Sequence, residues 1–121
     1  MNGYEALRER TKRFAVDVVK MIDGLPGGRS IEVLSKQLLR AATSVGANYR
    51  GACRARSKAE FIAKMHIVQE ESDETQYWME LLYSTGALNE RSYLDLQSEA
   101  RELTAIFTAS EATARSNLKK R

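Results

Sequence analysis

Breakers and cross-linkers are scarce in this chain. It has a single proline, Pro26, and seven glycines in 121 residues, too few to punctuate a β-rich fold. It has a single cysteine, Cys53, which rules out an internal disulfide and suits a reducing, cytoplasmic setting. Apolar runs extend only a few residues, so no segment is expected to span a membrane. The opening MNGYEALRER lacks the apolar stretch of a secretion signal. Also missing are a glycine-rich phosphate loop, a CxxC pair and a G-x-S-x-G elbow, and with them the usual signatures of nucleotide, redox and hydrolase chemistry. What is plentiful is Ala, Leu, Glu, Arg and Lys, the composition of an all-helical chain. At this length it forms one domain, able to bury roughly two-thirds of its unfolded surface.

Apolar positions recur alternately three and four apart in four segments. The first, about 4–23, carries Leu7, Thr11, Phe14, Val18, Met21 and Leu25, and Pro26-Gly27-Gly28 ends it. The second, about 30–54, is expected to start from Ser30 and carries Ile31, Leu34, Leu38, Ala41, Val45, Asn48 and Ala52. Ser57-x-x-Glu60 is a capping box for the third, about 58–85, with Phe61, Met65, Val68, Ser72, Thr75, Met79 and Leu82 in line. Gly86 closes that helix and Asn89 caps the fourth, about 90–115, which carries Tyr93, Leu96, Ala100, Leu103, Phe107, Ser110 and Ala114. Residues 116–121 read as a frayed basic tail. A repeat near 3.5 with short connections predicts an up-down-up-down antiparallel four-helix bundle.

Apolar residues are left over. Leu39, Ala42, Gly46, Tyr49 and Cys53 form a second line on helix two, and Ile62, Ile67, Tyr77, Trp78 and Leu81 lie off the seam of helix three. Either a wide stripe inside one bundle absorbs them, or they face another subunit. The second reading makes the chain a homo-oligomer with Leu39, Gly46, Tyr49, Trp78 and Leu81 at its interface. Asn48 sits on a seam, where its amide needs a partner; Ser72, Thr75 or Glu71 could supply one, forming a polar seam that fixes helix register.

Charge is segregated. Residues 29–64 hold eight cations against Glu32 and Glu60, whereas residues 70–111 hold ten acids against Arg91 and Arg101, within a net charge of only +3. The connection between helices two and three concentrates Arg50, Arg54, Arg56 and Lys58. Such a cluster can track a phosphate backbone, RNA or DNA, since the planar guanidinium donates bidentately. Only Tyr49 is nearby among aromatics, so base stacking is not indicated. The alternative is structural: the cations complement the helix-two dipole and pair with Glu70–Glu74 of a neighbour. Charge counting alone favours this second reading. His66, the one histidine, shares a face with Glu70, and with Asp73 or Glu74 beyond. The bundle di-metal pattern Glu-x-x-His is missing, so no metal and no cofactor is expected there. Cys53 reads as a small packing residue. These residues point to a non-enzyme.

The segment QLLRAATSVGANYRGACRARSKAEF, with the later IVQEESDETQYWMELL, resembles the four-helix-bundle family of proteins encoded in 23S rRNA intervening sequences, also labelled S23 ribosomal protein. Its pattern is met by Gln37, Leu38, Arg40, Ala41, Ala42, Ser44, Asn48, Ser57, Glu60, Phe61 and Glu74. The chain is also similar to the accessory variability proteins of diversity-generating retroelements. The resemblance implies a homo-oligomer, a five-membered ring of bundles, with nucleic acid and a reverse transcriptase as partner classes and no catalytic residues. Arg50-Gly51-Ala52 replaces the family's Ala-Glu-Gly, Ala55 stands where an arginine is usual, and Lys12-Arg13-Phe14 occupies the region of a first-helix tryptophan. Basic charge is redistributed rather than lost.

Overall fold

The structure, a computed structural model, describes residues 2–119. Among them are four helices and no strand: α1 (Gly3–Asp23), α2 (Arg29–Cys53), α3 (Lys58–Ser84) and α4 (Glu90–Lys119). Each packs on its neighbours in chain order, and α1 closes the square against α4. The pairing of Thr11 with Gly46, Arg40 with Glu74, Ser72 with Thr104 and Arg10 with Glu99 makes every neighbour antiparallel. No helix among the described residues is long and apolar enough to cross a membrane.

Local chemistry fixes the helix ends. Asn2 Oδ1 accepts from the Glu5 N–H (2.8 Å), Ser57 Oγ from the Glu60 N–H (3.0 Å) and Asn89 Oδ1 from the Ser92 N–H (2.8 Å). Helix α2 starts one residue earlier than expected. Its N-cap is Gly28, at φ 148°, a conformation open to glycine, so Ser30 falls inside the first turn. Gly86, at φ 84°, turns the chain after α3, and the Leu88 N–H reaches back to the Leu82 carbonyl (3.1 Å). Helix α4 runs on to Lys119, so residues 116–119 are helical rather than an irregular tail, while 120–121 lie outside the described residues.

Phe14, Val18, Leu38, Val45, Met65, Val68, Met79, Leu82, Leu103 and Phe107 form the buried centre. On α3, Ile62 is buried and Phe61 only half so, a small rotation of the expected seam. On α4 the buried position after Phe107 is Glu111, not Ser110 or Ala114. Glu111 can be there because Arg115 Nε (2.8 Å) and His66 Nδ1 (3.3 Å) meet its carboxylate.

Two expectations are overturned. The second line on α2 is largely internal: Ala42, Gly46 and Tyr49 are buried in the chain's own bundle. Tyr49 packs its ring against Phe107 (centroids 5.7 Å apart), and Gly46 lies against Thr11, so neither is available to a neighbouring subunit. Leu39 is exposed, and Trp78 and Leu81 are half-buried. The polar seam also divides. Asn48 donates to the Ser44 carbonyl one turn back (2.9 Å), and Thr75 donates to the Glu71 carbonyl (2.7 Å). Ser72 faces α4, its hydroxyl 2.6 Å from Thr104 Oγ1. Asn48 and Thr75 are thus satisfied by carbonyls of their own helices, and only Ser72 reaches across to a neighbouring helix.

Candidate functional site

Antiparallel packing sets the first half of α1 beside the last turns of α2 and the α2–α3 turn. That turn is held at both ends. The Arg54 N–H donates to the Gly51 carbonyl (3.1 Å) and the Ala55 N–H to the Ala52 carbonyl (3.0 Å), closing α2. Beyond it, Glu60 Oε2 accepts from the Arg56 N–H (3.3 Å), one residue short of the bond a complete capping box would make. The arginines therefore emerge from an ordered backbone.

Three surface hollows lie along this corner. One, between α1 and α2, is lined by Thr11, Lys12, Ala15, Thr43, Gly46, Ala47 and Arg50. The next, about 470 Å³, is lined by Glu5, Arg8, Glu9, Arg50 and Arg54. The third, about 460 Å³, is lined by Gly51, Arg54, Arg56, Glu60 and Lys64. Arg50 borders the first two and Arg54 the last two, so the three hollows stand in a row, a track broken by these side chains. From Thr43 to Arg54 it follows α2 for about 17 Å, at about 1.5 Å per residue.

Of the four cations singled out in the sequence, Arg50, Arg54 and Arg56 line this track. Lys58 is exposed at the first position of α3 and lines none of the three hollows. The structure adds Arg8, Lys12 and Lys64. Arg8 and Lys12 are four apart on α1, and only the antiparallel pairing of α1 with the end of α2 brings them here; the spacing was readable, the neighbour was not. Glu5, Glu9 and Glu60 are interleaved with the cations.

Among the described residues no cation of the track is in an ion pair; the paired ones are Arg10, Arg40, His66 and Arg115. Of the acids proposed as intersubunit partners, Glu70, Glu71 and Glu74 are engaged at home. Arg40 binds Glu71 (3.2 Å) and Glu74, and His66 Nε2 lies 3.1 Å from Glu70. The Trp78 indole donates to Glu74 (3.0 Å), and this bond, with Arg40, holds the Glu74 carboxyl below its ordinary pKa. Of the line His66, Glu70, Asp73 and Glu74, only the first two therefore meet.

Beneath the track, burial pushes the Tyr49 phenol well above its ordinary pKa, with the Cys53 thiol beside it adding to the shift. Tyr4 and Arg8 of α1 lie within electrostatic range of that hydroxyl and add the smallest contributions to its shift.

The architecture and the motif segment have counterparts. The family model described as 23S rRNA-intervening sequence protein matches residues 6–109, nearly the whole described chain. The chain belongs to this family. Among solved structures, a protein of unknown function from the S23 ribosomal protein family of Bacteroides thetaiotaomicron is similar at a TM-score of 0.83 and 33% identity. The likeness covers 90% of this chain and 97% of that one. Comparison with curated proteins finds no match. Ala55 is half-buried, while Arg54 and Arg56 on either side line the third hollow.

Proposed function

We propose that this 23S rRNA-intervening sequence protein is a non-enzymatic, self-assembling module that holds nucleic acid, RNA foremost, by its phosphates. The observation that carries the reading is the row of three hollows bordered by Arg50 and Arg54, in which, among the described residues, no lining cation is spent on an internal ion pair. Arg50, Arg54 and Arg56 contact phosphate directly; Arg8, Lys12 and Lys64 extend the field, and Lys58 contributes from its edge. Self-assembly is supported by apolar side chains left outside the core, among them Leu39, Ile67 and Tyr77, with Trp78 and Leu81 half-buried beside them. A ring of five, as the family resemblance implies, would repeat the cationic corner and multiply its field.

The test is RNA and DNA binding measured against salt, for the wild type and for the double variant Arg54→Glu/Arg56→Glu. The wild type should bind at low salt with a steep salt dependence, and the variant should lose both affinity and slope, about 0.7 in the log–log plot for each single-strand phosphate released. No binding at low salt, or an unchanged slope in the variant, sinks the reading. Light scattering tests assembly: a monomer at micromolar concentration refutes it.

A second reading, a protein-binding module without nucleic acid, draws on the same exposed apolar side chains. It gains if the double variant leaves assembly intact and the wild type binds neither RNA nor DNA.

A further inference from the structure

The corner contains an aromatic residue the cation count does not. Tyr49, the aromatic nearest the arginines in sequence, is buried and cannot meet a ligand. Tyr4 is 55% exposed and lies on α1 one turn before Arg8, the residue that lines the central hollow with Arg50 and Arg54, so it stands at the edge of that hollow rather than in its lining. An exposed aromatic beside a row of unpaired guanidiniums is a platform on which a base can stack.

Resting on the phosphate-binding reading above, we infer that the track takes a single strand rather than a duplex, with one base stacked on Tyr4 and the flanking phosphates on Arg8, Arg50 and Arg54. Three observations converge. First, stacking on Tyr4 needs a base free of its partner, which a duplex does not offer. Second, Glu5, Glu9 and Glu60 are interleaved with the cations. The dense charge of a duplex would meet these carboxylates as repulsion, whereas an unpaired strand presents amino groups of cytosine and adenine that carboxylates accept. Third, the first two hollows together follow α2 for about 17 Å, the length of a few stacked nucleotides at about 3.4 Å per step, and they are hollows rather than a broad convex face.

The test uses the full chain and a fluorescein-labelled RNA twelve-mer of mixed sequence, alone and annealed to its complement, with fluorescence anisotropy as readout. Wild type should bind the single strand more tightly than the duplex. Tyr4→Ala should weaken single-strand binding about ten-fold or more while leaving the salt slope unchanged, because it removes stacking and no charge. Tyr4→Phe should restore it and Tyr4→Leu should not, which separates a π-face from mere apolar bulk. Tyr4 is exposed, so all three variants should melt like wild type. Equal single-strand affinity for Tyr4→Ala and wild type, or tighter binding of the duplex, overturns the inference. If Arg54→Glu/Arg56→Glu still abolishes binding in that case, phosphate recognition stands and only the stacking site falls. If neither RNA form binds, both readings fall together.

Discussion

Gly46 of α2 and Thr11 of α1 lie so close that a Cβ on Gly46 would stand 3.2 Å from Thr11 Oγ1. Thr11 cannot easily give way. It is fully buried, and its hydroxyl is tied to the Leu7 carbonyl (2.8 Å) and the Arg8 carbonyl (3.1 Å). Gly46→Ala would gain about 1 kcal/mol of helix propensity and lose about 1–3 kcal/mol to overpacking, so a net loss of about 1 kcal/mol is expected. Gly51→Ala is the control: its Cβ would meet only the flexible end of Lys64, at 3.7 Å, and the variant should be more stable than wild type. Denaturant midpoints check both, and a stabilised Gly46→Ala contradicts the close approach.

Ser72, Gln76 and Thr104 form the polar tie between α3 and α4. Thr104 Oγ1 donates to the Ala100 carbonyl (2.7 Å), which commits its one proton. Ser72 (2.6 Å) and the Gln76 amide (2.8 Å) must therefore both donate to it. Thr104→Val strands two donors at once and should cost about 1–3 kcal/mol, read as a lower thermal midpoint. A Thr104→Ser variant, which keeps the oxygen, should recover most of that.

Gln97 is 3% exposed, and its Oε1 has no hydrogen-bond partner. Its Nε2 makes one long bond, 3.3 Å, to the Gln76 carbonyl. Flipping the amide would set its oxygen against the Gln76 carbonyl, acceptor facing acceptor, and orphan the nitrogen as well, so at least one polar atom is unsatisfied either way. Gln97→Met, close in volume, should be neutral or stabilising by about 1 kcal/mol. Destabilisation of more than about 1 kcal/mol would mean that the amide has a partner.

Glu74 links stability to acid pH. Its folded pKa is lowered from the ordinary 4.5, first by the Trp78 indole bond and then by Arg40. A depressed carboxylate contributes stability that is complete above its unfolded pKa and is lost as pH falls through the folded value, so the loss falls below about pH 4.5. The effect is small, because the Glu74 side chain is 38% exposed. Trp78→Phe should move the Glu74 titration upward, followed by carbon NMR of its carboxyl group. An unmoved titration would remove the indole bond as its cause.

Period and caps made the four helices legible: Ser57, Gly86 and Asn89 are read directly from local chemistry, whose partners lie within three or four residues. What was not legible depends on which helix faces which. Tyr49 and Gly46 look like surplus apolar residues until α1 is laid across them, and Asn48 looks buried and needy until its own helix supplies the acceptor. The cationic corner was half visible. Arg50, Arg54 and Arg56 cluster in sequence, whereas Arg8 and Lys12 arrive from a segment some forty residues away, and no periodicity announces that meeting.

The attachment of α1 gives the track a property of its own. That helix buries only Thr11, Phe14 and Val18, where α2 and α3 bury seven residues each, and it is strapped to α4 by Arg10 with Glu99 (2.7 Å) and Glu102 (3.0 Å). Amide hydrogens of α1 should therefore exchange faster than those of the other three helices. One wall of the track is the lightly buried helix and the other a deeply buried one. A strand lying across both would pin α1 shut, so that occupancy of the corner and the lifetime of the first helix become the same quantity.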